Sequence, residues 1–150
     1  MKNQLLDSLT TILLRDLNKL ESELLLYATE ESLWKIEKSI KNPAGNLCLH
    51  LCGNLQHFIG AILGNTGYIR NRDNEFAARN ISREDLLKEI TQARKAVSET
   101  LSSLTEAQLL SDYPVDVFGD PMTTLHFLIH LSAHLGYHLG QVNYHRRLVA

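Results

Sequence analysis

The chain has 150 residues, the usual size of one domain with a single core, so no second domain is expected. It is 44% hydrophobic and 21% charged with a net charge of -2, and so lacks the basic excess that nucleic-acid binding would need. Asp7, Arg15 and Asp16 interrupt the first stretch before a signal-peptide core can form, and no apolar run reaches membrane-spanning length; a cytoplasmic protein with no membrane partner is expected.

Leu5, Leu6, Leu9, Leu13, Leu17, Leu20 and Leu24 recur at helical spacing and predict a first helix over residues 2–27. TEESLW, with Thr29 as N-cap, reads as a short helical turn, and Asn42 and Pro43 end the connector after it. A second helix follows over residues 44–63, its core stripe formed by Leu47, Leu51, Leu55, Phe58 and Ile62. Residues 64–80, GNTGYIRNRDNEFAARN, have no period and read as a long surface loop. Ser82 and Asp85 resemble a capping box that opens a third helix to about residue 102, with Leu86, Ile90, Val97 and Leu101 inward. Residues 105–109 add a turn, SDYPVDVFGDP is a loop or a brief extended excursion, and Pro121 suits the first turn of a fourth helix running to about residue 147. Four long helices point to an all-α four-helix bundle.

Cys48 and Cys52, the only cysteines, lie four apart on one helix, where a disulfide would strain the backbone; both are expected reduced. The last helix carries HLSAHLGYHLGQVNYH. On a helical wheel the apolar arc of Phe127, Leu131, Leu135, Val142 and Val149 includes His134 and His138, while His126 and His130 drift toward the rim. His145 points inward but lies roughly 10 Å further along the axis. An i,i+4 histidine pair can hold one cation, as in metalloprotease helices, and needs a third ligand from another helix. Either His50 or His57 on the second helix can supply it, but not both, and the cysteines face away from His50.

The motif His134-x-x-x-His138-Leu139-Gly140-Gln141 resembles the C-terminal signature of the DinB/YfiT-like superfamily, and NPAGNLCLHLCGNL followed by RNRDNEF looks like one branch of it. The resemblance covers nearly the whole chain and implies a four-helix bundle with a three-histidine metal site. The matching positions are His50, His134 and His138. One departure stands out: the family's common form has an arginine where this chain has Leu139, so the contact made by that arginine does not transfer.

Three imidazoles leave a divalent ion an open position for water or a thiolate; zinc fits such a site, and nickel or another first-row ion is also accepted. The resemblance implies a metal-dependent hydrolase or a thiol-dependent transferase acting on a small molecule. The alternative is a non-catalytic metal-binding bundle serving stress response, metal handling or protein interaction. The two ligand-bearing helices hold no Asp or Glu, so a carboxylate base must come from Asp16, Glu23, Asp73 or Glu75, which are otherwise read as solvated surface charges. Gln141 and Asn54 are candidates for a supporting or pocket position, as is His57 where it is not a ligand. Arg70 and Arg72, with Asp73 and Glu75, either tie the loop down through salt bridges or offer a guanidinium to an anionic substrate group. Ser132, Ala133, Gly136, Gly140 and Asn143 place small residues on the opposite face of the last helix, which predicts close approach of the first helix or of a second copy, with a homodimer as the expectation.

Overall fold

The computed structural model describes residues 3–150; the predicted helix start at Lys2 lies outside them. It is all-helical, with no strand among the described residues. α1 (Gln4–Leu26) opens on Asn3, whose side chain accepts from the backbone N–H groups of Leu5 and Leu6. A 3-10 turn (Glu31–Trp34) follows, whose N-cap is Glu30 rather than the expected Thr29, although the Thr29 hydroxyl accepts from the Ser32 N–H. α2 (Ala44–Leu55) runs directly into a π-helical segment (Gln56–Ala61). α3 (Arg72–Ala77) and α4 (Arg83–Ser103) come next, then α5 (Glu106–Leu110), capped by Thr105 in a reciprocal box with Gln108. The chain ends in α6 (Thr124–Val149).

α1 packs on α4 and α6, and α2 packs on the same two helices from the other side. Leu6, Leu9, Leu13, Leu17, Leu20 and Leu24 of α1 are buried against Leu47, Leu51 and Leu55 of α2, the four predicted leucine, isoleucine and valine positions of α4, and Phe127, Leu131, Leu135 and Val142 of α6, forming one contiguous core. Each buried side chain of this size contributes about 1.5–3 kcal/mol, so the leucine periodicity supplies most of the drive to assemble. Charged groups pin the helices at their edges: Arg94 of α4 on Glu21 of α1, and Arg146 of α6 on Glu23 at 2.6 Å. Both cysteines are free and buried. No helix among the described residues is long and apolar enough to cross a membrane.

Four local expectations are corrected. The segment 64–80 is not a structureless loop: Asn71 caps α3 by accepting from Asn74 N–H. The second helix widens after Leu55, and the extra residue in that turn carries Ile59 into the core while Phe58 and Ile62 become half-buried. α6 begins at Thr124 rather than at Pro121, because Tyr113 N–H donates to Met122 O and Thr124 N–H to Ser111 O, holding residues 122 and 123 in extended pairing; Thr123 then caps the helix. The small-residue face of α6 meets α1 through Asn143, which donates to Glu23, but no backbone comes close to its glycines: a Cβ on Gly136 would meet only Asp16 Oδ2 at 3.9 Å, and one on Gly140 would meet open space.

Candidate metal centre

His50 lies near the middle of α2, and His134 and His138 lie one turn apart on α6, where the two helices pack together. One nitrogen from each ring falls in a group whose members are all within 4.8 Å of one another. His50 Nε2 and His134 Nε2 are 3.1 Å apart. A zinc ion bound at ~2.0–2.1 Å sets two imidazole nitrogens about 3.4 Å apart in a tetrahedral shell, so this pair is already close to that separation and the third nitrogen lies within 4.8 Å of both. The rings meet edge to face, His134 on His138 at 4.6 Å and His50 on His138 at 5.2 Å between centroids.

Two of the three rings are oriented from behind. His50 Nδ1–H donates to Glu75 Oε1 at 3.1 Å, which leaves Nε2 as its free lone pair. His138 Nδ1–H donates to Gln141 Oε1 at 2.7 Å with the same effect. Hydrogen bonds of this kind fix the tautomer and direction of metal-binding imidazoles. His134 Nδ1 is buried and has no partner. Burial pushes the His134 pKa down to about 4, helped by the neighbouring His138, His50, His130 and Arg70. Burial also lowers that of His138, helped by His50 and opposed by the Gln141 hydrogen bond. Both rings are therefore neutral at neutral pH, the state in which imidazole ligates. The donor set and its electrostatics fit a divalent transition metal.

Glu75 is held on every side. Arg70 donates to both its oxygens, Nε to Oε2 and Nη2 to Oε1, each at 2.9 Å. Asn46, fully buried in α2, donates to the backbone carbonyls of Glu75 and Ala78 at 2.9 and 2.8 Å and so docks α3 against α2. Burial alone would raise the carboxyl pKa, but the hydrogen bonds from His50 and Arg70 and the Arg70 charge hold it below its ordinary value. Gly53, one turn beyond His50, leaves the room: a Cβ there would run into the Glu75 carboxylate.

A cleft of about 550 Å³ opens beside the histidines. Phe58, Phe76, Phe118 and Phe127 wall it, Arg70, Arg72 and Asn54 add polar groups, and no carboxylate lines it. The Arg70 guanidinium lies 5.6 Å from the Phe58 ring centre and that of Arg72 lies 5.2 Å from Phe76.

The two rival placements of the third histidine are thus separated. His50 joins the cluster, whereas His57, the second residue of the wider helical segment, rests its ring against Phe58 and does not. Of the four carboxylates considered as partners, Glu75 alone reaches a clustered histidine; its expected place as a solvated charge is overturned because Arg70 compensates it and α3 carries it inward. Asp16 pairs with Arg15, Glu23 with Arg146 and Asn143, and Asp73 stays exposed. His126 and His130 are exposed, as the wheel predicted, although His130 stacks on Phe127 and lines the cleft. Leu139 is half-buried against the core. Gly53 and the aromatic walls had not been singled out from sequence; the glycine at i+3 from His50 was the available signal.

No curated protein matches the chain. Over residues 2–150 the sequence matches a family described as "Protein of unknown function (DUF1572)", and the chain belongs to that family.

Proposed function

We propose that this chain is a single-domain four-helix bundle of the DinB/YfiT-like type whose His50, His134 and His138 hold a divalent transition metal, zinc or nickel, for thiol-dependent transfer or hydrolysis on a small molecule. The observation that carries this reading is the convergence of three imidazole nitrogens, within 4.8 Å, from two packed helices at the edge of a cleft. A metal held by three neutral imidazoles keeps a position for water or a thiolate and lowers the pKa of what binds there.

The chain's own residues set the rest. Glu75 keeps the proton of His50 on Nδ1, Gln141 does the same for His138, and burial keeps His134 unprotonated. Phenylalanine walls limit water around the reacting groups. The three-ligand set beside a cleft favours an enzyme over a closed binding module. Among the outcomes, transfer is favoured over hydrolysis, because the cleft has no carboxylate and Glu75 has both oxygens committed to Arg70, leaving no carboxylate base to take a proton from water. The homodimer belongs to this reading as well, since Gly140 leaves room for a partner's backbone.

Elemental analysis of tag-free protein purified without chelator tests the site. About one equivalent of a transition metal per chain is expected, absent from His134→Ala and His138→Ala while circular dichroism stays helical. Protein that takes up no zinc, nickel or manganese on incubation overturns the proposal.

A further inference from the structure

The two arginines of the cleft are not equivalent. Arg70 is spent on Glu75 through two hydrogen bonds. Arg72, two residues on, is exposed and meets no carboxylate among the described residues; its guanidinium sits over Phe76. Phe76 in turn packs on His50 with ring centres 4.8 Å apart. An available cation therefore stands one aromatic ring away from the histidine cluster, at the rim of a cleft without carboxylates.

On the floor of the same cleft lies Asn54, one turn after His50 on α2 and only 7% exposed. Its Oδ1 is buried without a partner. Buried amides are almost always hydrogen-bonded, and leaving one unpaired is costly. Asn54 lines the cleft, so a ligand that reaches its amide can bring the donor that Oδ1 lacks within the protein. Between Asn54 and Arg72 the walls are phenylalanines.

We infer that the cleft binds a small anionic molecule with an aromatic or similarly apolar body, its carboxylate paired with Arg72 and a hydroxyl or amide N–H at its inner end donating to Asn54. The inference rests on the proposed metal site in treating the cleft as a substrate site. The binding contacts themselves belong to protein side chains.

The test therefore uses metal-free full-length protein, where a carboxylate cannot gain affinity by ligating zinc, and repeats it with zinc added. The probe is 4-hydroxyphenylacetate, compared by titration calorimetry or NMR shifts with its neutral amide and with phenylacetate, which lacks the hydroxyl. The acid should bind at least about fivefold more tightly than the amide, and the preference should vanish in Arg72→Gln. The hydroxyl should add roughly fivefold or more, a gain lost in Asn54→Ala. Arg72 is exposed and gives up only its place over Phe76, and Asn54 Oδ1 has no partner to lose, so circular dichroism of both variants should stay helical. Equal binding of acid and amide, preferences that survive the substitutions, or no binding of the acid with or without zinc overturns the inference. Metal content, measured on the same samples, fails or stands separately.

Discussion

His145 and His134 lie three turns apart on the same helix, and their surroundings differ in one decisive respect. His145 is 1% exposed and both its nitrogens are used: Nδ1 accepts from the Tyr27 hydroxyl at 2.7 Å and Nε2–H donates to Lys35 O at 2.8 Å. His134 is half-buried, one nitrogen faces another histidine and the other has no partner. A histidine whose hydrogen bonds are completed by the fold is a structural tie between α1, the connector and α6. One left incomplete among other imidazoles is a donor that the proposed metal site would use. The residue type and the inward direction are shared, so only the partners separate the two roles.

Breaking the comparison at His145 should have the largest effect on folding. His145→Ala strands the Lys35 carbonyl and removes a buried ring, and should cost about 3 kcal/mol in urea denaturation with metal content unchanged. His134→Ala should do the reverse, abolishing metal binding while the metal-free protein loses well under ~1 kcal/mol. Equal stability losses for the two variants would erase the distinction.

Glu75→Gln sharpens the contrast on the ligand side, because it keeps the shape behind His50 and removes the charge. Metal affinity should fall about 10–100-fold, read by competition with a chelating dye, while His145-dependent stability is untouched. An unchanged affinity would make Glu75 a loop anchor alone.

The pH dependence is a smaller effect with a defined sign. His134 has its pKa depressed in the folded protein to about 4, against an ordinary value of 6.5. Between those limits the unfolded chain binds a proton that the folded chain refuses, so metal-free stability should fall as pH drops from about 6.5 to about 4 and then level off for this group. Glu75, held below its ordinary value, adds a loss in the same direction at the acid end. Denaturation midpoints across this range should decline less steeply in His134→Ala than in the parent.

The smallest change tests the outer face of α6. Gly140→Ala fills open space in a helix interior and should raise stability by about 0.5–1 kcal/mol in an isolated chain. A destabilisation that grows with protein concentration would instead place a second copy against that face.

The helices were legible because leucine spacing writes burial directly into the sequence: the α1 stripe from Leu6 to Leu24 and the inward positions of α4 are buried as their period requires. The pair His134 and His138 was legible for the same reason, since i,i+4 spacing on an apolar arc leaves little freedom of direction. Choosing His50 over His57 needed more, because a helix keeps both near one face two turns apart, and only the packing of α2 on α6 sets which of them lies level with His134 and His138. Glu75 was hidden by its setting. In a string of three arginines and two acids, charge predicts solvent, and only the three-dimensional meeting of Arg70, His50 and the Gly53 gap makes burial affordable. The late start of α6 was hidden similarly, by backbone pairing across the 111–124 excursion that leaves no side-chain pattern.

The Asn46 amide has a consequence for how the site breathes. It grips the carbonyls of Glu75 and Ala78, and Arg79 closes back on its Oδ1 at 2.8 Å, so this one amide ties the backbone of α3 to α2 beside the Glu75 and Phe76 side chains on His50. Release of that grip together with the hydrogen bond between His50 and Glu75 would take Glu75 from behind His50 and Arg72 from the cleft in a single movement. Amide exchange across this stretch should then be faster than in α2 or α6, and occupancy of the histidines and of the cleft should slow it together.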